Sequence, residues 1–337
     1  MTESVKAKFD NLQAMIGNTP LAEINYEYKG EKRRIYAKIE SFNLTGSIKD
    51  RVAFYVLKKA YEQGDIHEGD EICEATSGNT GISFSGVGSY LGHHVVIYMP
   101  DWMSRERITL MQSYGAEVRL VSHEQGGFLG SIKLADDYAA ERGNVFLPHQ
   151  FSNEDNTEAH IASTAEEIAR QLKLFGAKPD CFIAGVGTGG TVMGVGRRLR
   201  RDFPELTVHP LEPLNSPTLS TGCKVGNHRI QGISDEFIPP ILHMDELNEI
   251  ISVDDGDSII MARLLAERLG VGVGVSSGAN FIGAVMLQNM FGGDKTVVTT
   301  FADDCKKYLS TDYSNPPEMQ KDSLLHSLKL TGMRTVR

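Results

Sequence analysis

A lysine near the predicted start of a helix is the first residue whose position suggests chemistry. It lies in FNLTGSIKDR (42–51), where Ser47 and Asp50 fit the S-x-x-[DE] pattern of a helix N-terminus. The positive end of the helix dipole disfavours an ammonium group at Lys49, so more of the neutral amine should be present near neutral pH. A neutral amine can form a Schiff base with a carbonyl compound. The alternative is a solvated surface lysine that tolerates this position.

Three loops between predicted strands and helices carry small polar residues. The glycines of AGVGTGGTVMGVG (184–196) let the backbone approach an anion, and the following helix supplies free N–H groups, which favours a phosphate site. The loop EATSGNTG (74–81) offers hydroxyl and amide donors for a carboxylate, although the same residues favour a simple helix cap. GVGVSSGAN (272–280) places two serines at a third such turn, again with a helix cap as the alternative.

The first of these loops is ambiguous on its own. It also satisfies G-x-G-x-x-G, the fingerprint of dinucleotide binding, and Glu212 after the next strand could serve as the ribose-binding acid. Turns at the carboxyl ends of parallel strands are where α/β sheets bind ligands. A phosphate site, a carboxylate site and a reactive lysine together suggest pyridoxal phosphate, a phosphorylated aldehyde that acts as an electron sink for amino-acid carbanions.

The elements that must position these loops follow an α/β pattern. Strand patterns alternate with helical patterns, which predicts mainly parallel sheets, and ten strands suggest two smaller sheets with a site between them. The residues after Tyr313 predict a peripheral appendage with one short helix near residues 320–330. The predicted strands are 34–40, 70–76, 94–100, 116–121, 144–151, 181–186, 206–212, 249–253, 271–277 and 295–303, and the predicted helices are 47–62, 80–91, 104–114, 130–142, 157–175, 191–201, 255–269 and 279–291.

Composition and charge exclude several classes of protein. The chain has 337 residues, 41% of them hydrophobic, and a formal net charge of −10, which argue for a substantial core and against a nucleic-acid partner. No apolar run approaches the roughly 20 residues of a membrane span, and the first residues lack the apolar core of a signal peptide. Four scattered cysteines show neither a C-x-x-C pair nor zinc spacing. We therefore expect a cytoplasmic protein without disulfides, a metal site or a membrane partner.

In the order of its motifs the chain resembles the fold-type II pyridoxal-phosphate enzymes, in the branch of cysteine synthase (O-acetylserine sulfhydrylase) and cystathionine β-synthase. The similarity covers about residues 12–312. It rests on IGNTPL (16–21), FNLTGSIKDR (42–51), TSGNTG (76–81), GTGGT (187–191), LEP (211–213), QGI (231–233), SSGAN (276–280) and YLST (308–311).

The resemblance implies a homodimer of chains with two three-layer α/β domains and the site in the cleft between them. Residues 1–44 and 153–315 would form the larger domain, which binds the cofactor phosphate. Residues 45–152 would form a smaller, mobile domain with the carboxylate loop, and residues 316–337 a C-terminal appendage.

The resemblance also implies a role for each motif. Lys49 would hold pyridoxal phosphate as a Schiff base and act as the acid and base at Cα–H, and Asn79 would hydrogen-bond the cofactor 3′-oxygen. Ser276 would meet the pyridine nitrogen, where a serine favours prompt β-elimination because it need not protonate the ring. The phosphate would be held by Gly187, Thr188, Gly189, Gly190 and Thr191, and the substrate by Thr76, Ser77, Gly78, Thr80, Gln150 and Gly232. The G-x-G-x-x-G match then becomes a cup for one phosphate, and the dinucleotide hypothesis falls away.

The segment QGISDEFIP (231–239) departs most from the family pattern. Cysteine synthases usually have small residues here, G-I-G-A-G-F, and cystathionine β-synthases have G-I-G-Y-D-F, whereas this chain has Ser234, Asp235 and Glu236. The two carboxylates are candidate catalytic residues, because they could bind a substrate amine or act as a general base toward water or a thiol. Mutual repulsion would raise one pKa if both lie near the cofactor. Either side chain could instead point to solvent.

The reaction class implied by the resemblance is pyridoxal-phosphate-dependent β-replacement through an α-aminoacrylate. The leading hypothesis is a cysteine synthase, which converts O-acetyl-L-serine and sulfide to L-cysteine and acetate. The acidic pair favours an alternative that consumes L-cysteine or L-serine, either by releasing sulfide or by a cystathionine β-synthase-like condensation. The expected partners are the amino-acid substrate and sulfide or a thiol.

Overall fold

The structure, a computed structural model, describes all 337 residues and contains two β-sheets. The strands are β1 (Leu21–Tyr28), β2 (Glu31–Ile39), β3 (Glu71–Ala75), β4 (Val95–Pro100), β5 (Glu117–Val121), β6 (Val145–Phe146), β7 (Cys181–Gly185), β8 (Thr207–Pro213), β9 (Ile251–Val253), β10 (Val297–Phe301) and β11 (Leu328–Val336). The larger sheet has the order β11-β1-β2-β10-β7-β8-β9, and the smaller sheet has the order β5-β4-β3-β6. Only the β1–β2 and β1–β11 pairs are antiparallel.

Helices connect most of these strands. They are α1 (Glu3–Met15), α2 (Lys49–Gln63), α3 (Asn79–Leu91), α4 (Arg105–Ser113), α5 (Gly127–Ala140), α6 (Asp155–Ala159), α7 (Glu166–Phe175), α8 (Gly190–Asp202), α9 (Thr218–Thr221), α10 (Asp255–Leu269) and α11 (Val275–Phe291). A π-helical stretch, His160–Ala165, joins α6 to α7, and short 3-10 turns occupy Glu40–Phe42, Met244–Glu246, Cys305–Tyr308 and Leu324–Ser327. None of the helices combines the length and the apolar character that a membrane span requires.

Each sheet is covered by helices on both faces. In the larger sheet, Phe182 of β7 packs in the core under α7 and α8, whereas the next residue, Ile183, packs in the core under α10 and α11. In the smaller sheet, Ile72 of β3 faces α2, α3 and α4, and Cys73 faces α5. Successive strand residues point to opposite faces, so these buried strands read as continuous apolar runs. The predicted α/β class with two three-layer units is confirmed.

The predicted strand at 271–277 is wrong. Val273 forms only an isolated bridge with Asp304, and α11 begins at Val275, four residues before the predicted helix start. The N–H of Gly274 donates to the carbonyl of Asp303 over 3.1 Å, and a Cβ on Gly274 would lie 2.1 Å from Asp303 Oδ1. Glycine at alternate positions therefore lets this segment approach the loop after β10 closely. In the sequence, this alternation looks the same as the alternation of residues in a strand.

Several further elements differ from the predictions, and α1 and β1 were not predicted. The predicted strand 144–151 pairs with β3 only over Val145–Phe146, because Pro148 has no N–H for a ladder and the chain turns away to bring Gln150 to the site. The predicted helix 157–175 is broken by the π-helical stretch between α6 and α7.

The predicted short helix near residues 320–330 is also wrong. A 3-10 turn at Leu324–Ser327 leads into β11, which pairs antiparallel with β1 and forms the outer strand of the larger sheet. Leu328 and Leu330 pack against the core of that sheet, and Lys329 between them faces outward. Alternation of apolar and polar residues in the sequence is limited to the first residues of this strand, which makes it a weak strand signal.

The smaller sheet uses only strands between residues 71 and 146, inside the predicted smaller domain. The boundaries at 45 and 152, and the mobility of that domain, stay predictions.

Candidate active site

The loops with predicted chemistry converge on one cavity between the two sheets. Loops after β3 and β7, the start of α2, the start of α11 and the segment after α9 all contribute to its wall. Of the predicted residues, the cavity is lined by Lys49, Thr76, Ser77, Asn79, Thr80, Gln150, Gly187, Thr188, Gly189, Thr191, Gly232, Asp235 and Ser276. Gly78, Gly190 and Glu236 do not line it.

Lys49 is the first residue of α2 and is directed into this cavity. Burial lowers the pKa of Lys49, and the nearby carboxylates of Asp235 and Asp303 oppose this shift. The expected capping pair is only partly formed. Ser47 Oγ accepts from the N–H of Lys49 at 3.3 Å, but Asp50 accepts from the N–H of Thr45 at 2.7 Å and does not reach back to Ser47. The amine is thus held in a desolvated position where its neutral form is favoured.

The carboxylate loop is fixed by its own hydroxyl groups. Thr76 Oγ1 accepts from the N–H of Gly78 at 3.0 Å, and Thr80 Oγ1 donates to Gln150 Oε1 at 2.6 Å. Gln150 Nε2 in turn donates to the carbonyl of Ala75 at 2.7 Å. Gln150 therefore braces both ends of the loop, and the N–H groups of the first turn of α3 lack intrahelical acceptors and suit an anion.

The phosphate loop fits an anion in the same way. Gly189 has φ +90°, which favours glycine, and a Cβ on Gly187 would lie 2.5 Å from the carbonyl of Gly232. Asn156 Nδ2 donates to Thr188 Oγ1 at 2.9 Å, which orients the threonine beside the N-terminus of α8. A Cβ on Gly190 would lie 2.1 Å from Asn156 Oδ1, so a glycine at this position leaves room for the Asn156 side chain next to the loop.

Asn79 belongs to a polar network that the sequence did not reveal. Its Nδ2 donates to Asp303 Oδ2 at 2.7 Å, and its Oδ1 accepts from Lys307 Nζ at 3.1 Å. Tyr308 donates its hydroxyl to the same carboxylate at 2.5 Å. Asn79 can still offer its second amide hydrogen to a ligand in the cavity. Ser276 stands across from this network in the first turn of α11.

These residues fit pyridoxal phosphate. A buried lysine amine can hold the aldehyde, the N-terminus of α8 can hold the phosphate, and the Asn79 amide and Ser276 hydroxyl can meet the ring. The buried Oδ1 of Asn156, beside the phosphate loop, has no hydrogen-bond partner in the protein.

The two acids of the departing segment have different surroundings. Asp235 is half-buried and lines the cavity, and desolvation of its carboxyl raises the pKa of Asp235 to about 6; the Lys49 ammonium opposes this shift and Glu236 adds to it. Glu236 lines a neighbouring cavity of about 450 Å³ and pairs with Lys224 at 3.4 Å. The structure thus brings Asp235, but not Glu236, into the cavity with Lys49.

Sequence reasoning missed Arg107 as well. This buried residue of α4 lies over the ring of Tyr308, with its Cζ 4.8 Å from the ring centroid, and donates to Gln231. Its signal in the sequence was a charged residue in SRERI (104–108), which is indistinguishable from a solvated helix face.

The fold and the site define a pyridoxal-phosphate enzyme of fold-type II. The family model described as pyridoxal-phosphate dependent enzyme matches residues 12–303, and the chain belongs to this family. Among curated proteins, the chain is 42% identical over 302 residues to a probable cysteine synthase of Bacillus subtilis, with 90% of this chain and 96% of the relative covered. It is 40% identical to cysteine synthase B of Campylobacter jejuni, with 90% and 98% covered.

Solved structures similar to this chain include hydrogen sulfide-producing enzymes and cysteine synthases. A hydrogen sulfide-producing enzyme of Fusobacterium nucleatum has a TM-score of 0.96 and 54% identity, with 98% of this chain and 99% of that chain covered. A mutant of a hydrogen sulfide-producing enzyme in complex with an α-aminoacrylate intermediate has a TM-score of 0.94 and 55% identity, with 96% and 97% covered. A cysteine synthase of Entamoeba histolytica has a TM-score of 0.84 and 36% identity, with 94% and 95% covered.

These relatives confirm the predicted family, the pyridoxal phosphate cofactor and the reaction type, and the cysteine synthases among them support the leading hypothesis from the sequence. The chain is an enzyme of the pyridoxal-phosphate β-replacement type, in the cysteine synthase branch.

Proposed function

We propose that this enzyme replaces the thiol of L-cysteine with water and so releases sulfide and forms L-serine. The observation that carries this proposal is Asp235, a half-buried carboxylate that lines the same cavity as Lys49. The family pattern of cysteine synthases has a small residue at this position. A neighbour that produces hydrogen sulfide at 54% identity, against 42% for a probable cysteine synthase, supports the same choice.

Residues of the cavity would first bind and activate the amino acid. Pyridoxal phosphate, when bound, supplies an electron sink that acidifies Cα–H and lets the Cβ substituent leave. The hydroxyl groups of Thr76, Ser77 and Thr80, with the first N–H groups of α3, would hold the substrate carboxylate. Lys49 Nζ would take the Cα proton, because burial favours its neutral form.

Asp235 would donate a proton to the departing sulfide and accept a proton from the incoming water. A pKa of about 6 lies near neutral pH, so the carboxyl can hold a proton for the departing sulfide and then accept one from water. Water needs such a base, because it is a poor nucleophile until a proton is removed. The carbon–sulfur bond would break first, and sulfide would leave with the proton of Asp235. The oxygen of water would then bond to Cβ and give a proton to Asp235, so that L-cysteine and water are converted to L-serine and hydrogen sulfide.

The cysteine synthase reaction is the second candidate. It is favoured by curated relatives at 39–42% identity that are named as cysteine synthases. Sulfide is already largely anionic near neutral pH and does not need a general base. A carboxylate at Asp235 would repel that anion, so the site suits water better than incoming sulfide.

The experiment compares both reactions in the holoenzyme. Purified enzyme is given L-cysteine alone, and sulfide, L-serine and pyruvate are quantified; a parallel sample receives O-acetyl-L-serine and sulfide, and L-cysteine is quantified. We expect sulfide and L-serine in equal amounts. Asp235→Asn should reduce serine formation by about 10²–10⁴-fold, the range for loss of a general base, whereas Glu236→Gln should have a much smaller effect.

Two results would contradict the proposal. Pyruvate in place of serine would indicate elimination without replacement. Faster synthesis of L-cysteine that is insensitive to Asp235→Asn would establish the second candidate.

Three broader statements also belong to this proposal. We propose that the enzyme is a homodimer, that residues 45–152 move as a unit over the substrate, and that it works in the cytoplasm. Four free cysteines are consistent with a reducing compartment. Light scattering of the purified enzyme tests the dimer, and small-angle scattering with and without L-cysteine tests the movement.

A further inference from the structure

The residue before Asp235 has an unusual backbone conformation. Ser234 has φ +57°, in the left-handed region that non-glycine residues seldom adopt, and the family pattern has a glycine at this place. A side chain there is strained unless its surroundings hold it. Such a turn determines where the next side chain points, and the next side chain is Asp235.

Every polar group of Ser234 is held by the protein. Its N–H donates to the carbonyl of Val186 at 2.7 Å, and its Oγ lies 3.0 Å from both the carbonyl of Ser216 and Oγ1 of Thr218. Its carbonyl accepts from His228 Nε2 at 3.2 Å. These contacts account for a serine in place of glycine, because the hydroxyl gains partners that offset the strain.

The partners of Ser234 are themselves fixed. Glu212 accepts from the N–H of Leu219 at 2.8 Å, which anchors the loop that carries Ser216 and Thr218. Burial lowers the pKa of His228, and Nε2 carries a proton because its partner, a backbone carbonyl, can only accept a hydrogen bond. Thr218 Oγ1 also lies 3.4 Å from the carbonyl of Asp235. The backbone of residues 234–235 is thus held from two sides, while the Asp235 side chain faces the cavity.

We infer that Ser234 and His228 are positioning residues that hold the left-handed turn and thereby direct the carboxylate of Asp235 toward the reacting carbon. This inference rests on the proposed role of Asp235 as the acid and base of the replacement. The preference for water as the nucleophile would then depend on residues 228, 234 and 235 together, and not on the carboxylate alone.

The test uses three variants in the holoenzyme. Ser234→Gly keeps the backbone conformation accessible and removes the hydroxyl bonds. His228→Leu removes the donor to the Ser234 carbonyl, and His228→Gln offers an amide donor in its place. We measure steady-state serine formation from pH 5 to 9, and sulfide release in a single turnover on rapid mixing with L-cysteine.

We expect Ser234→Gly and His228→Leu to lower serine formation by about tenfold, a part of the factor that a general base supplies. The acidic inflection of the pH profile should move to lower pH, toward that of a solvated aspartate, because the carboxylate is free to leave the desolvated position. His228→Gln should restore most of the rate and the inflection. In the Asp235→Asn background, Ser234→Gly should have no further effect.

Other outcomes would overturn the inference. Equal losses in sulfide release and serine formation, with an unmoved inflection, would show a merely structural role. Unchanged rates would show that Asp235 needs no positioning. If Asp235→Asn itself leaves serine formation intact, the proposed function fails instead. Should Ser234→Gly not fold, the difference between His228→Leu and His228→Gln decides the question.

Discussion

Gly78 lies directly against Arg107, so that a Cβ on Gly78 would be 2.4 Å from Arg107 Cδ. The glycine belongs to the loop between β3 and α3, and the arginine comes from α4 and contacts Tyr308 and the cavity-lining residue Gln231. The carboxylate loop therefore packs against the buried side chain of Arg107. The same side chain also contacts the opposite wall of the site, which belongs to the part of the chain that contains the larger sheet.

Gly78→Ala should weaken substrate binding without loss of the cofactor. The added methyl group must displace Arg107 or the loop, and overpacking of this kind costs about 1–3 kcal/mol. If that cost falls on the bound state, KM for L-cysteine rises about tenfold, while the cofactor absorbance stays unchanged. Gly143→Ala is the matched control, because nothing lies within 4 Å of its Cβ position. An equal KM in both variants would show that the loop tolerates the extra atom.

A buried ion network anchors the start of α2, two residues after Lys49. Arg51 pairs with Glu40 at 2.6 Å and with Glu167 at 2.8 Å, and both Arg51 and Glu40 are buried. Arg51→Met leaves the buried Glu40 carboxylate without its ion-pair partner, so we expect the free energy of unfolding to fall by about 3–5 kcal/mol in urea titrations. The double variant Glu40→Gln, Arg51→Met should recover part of this loss.

The exposed pair of Lys133 and Asp137 is the control for this network. Lys133→Met should change the free energy of unfolding by about 1 kcal/mol or less, because solvent screens exposed ion pairs. If Arg51→Met is no more destabilising than Lys133→Met, the buried network does not hold the helix start.

The parts of the site that the sequence predicts are those carried by contiguous residues at strand-to-helix turns. Lys49, TSGNTG and GTGGT each combine in one segment the side chains, glycines and helix N-terminus that their chemistry needs. Their roles could therefore be inferred before the fold. Asp303 and Lys307 could not, because they meet Asn79 from more than 220 residues away and only the sheet order brings them together.

The sequence alone does not predict whether Asp235 or Glu236 enters the cavity, because the answer depends on one backbone angle. Adjacent side chains diverge, and which of the two enters the cavity depends on the left-handed turn at Ser234, stabilised by residues from two other segments. The edge strand β11 was missed for a related reason. Its partner β1 lies some 300 residues earlier, and a half-exposed strand carries too weak an apolar pattern to be distinguished from a polar tail.

Glu74→Gln should change how stability depends on pH. Burial raises the pKa of Glu74 to about 8, although its carboxyl accepts hydrogen bonds from the N–H groups of Ala75 and Gln150. The unfolded chain loses this proton near pH 4.3, so between about pH 4.3 and 8 the folded state binds a proton that the unfolded state has lost. The free energy of unfolding of the wild type therefore falls as pH rises through this window and is then unaffected by this group.

The measurement is urea unfolding of wild type and variant from pH 5 to 9. Relative to the wild type, Glu74→Gln should gain about 2–4 kcal/mol in free energy of unfolding between pH 5 and pH 9, because its amide does not titrate. All other groups titrate in both proteins and cancel in the difference. Glu68→Gln, at an exposed position, serves as the control. Parallel profiles for wild type and Glu74→Gln would show that Glu74 is ionised throughout.

Removal of residues 316–337 should destabilise the larger sheet and expose an edge that associates. Without β11, the backbone groups of β1 that face it lose their partners, and Leu328 and Leu330 no longer cover the core. Loss of two partly buried leucines lowers the free energy of unfolding by about 2 kcal/mol or more. A bare strand edge also favours edge-to-edge pairing between molecules, so light scattering should show concentration-dependent species larger than those of the full chain.

The cavity should survive this truncation at low temperature, because β11 supplies none of its lining residues. Cofactor absorbance and sulfide release from L-cysteine are then expected to persist below the lowered unfolding midpoint. Lys329→Ala, which alters an outward-facing residue of β11 and keeps the strand, should leave both the midpoint and the association state unchanged. If the truncated chain has the same unfolding midpoint and the same size in solution as the full chain, β1 is stable without β11 as its neighbour. The C-terminal residues would then not stabilise the sheet that they join.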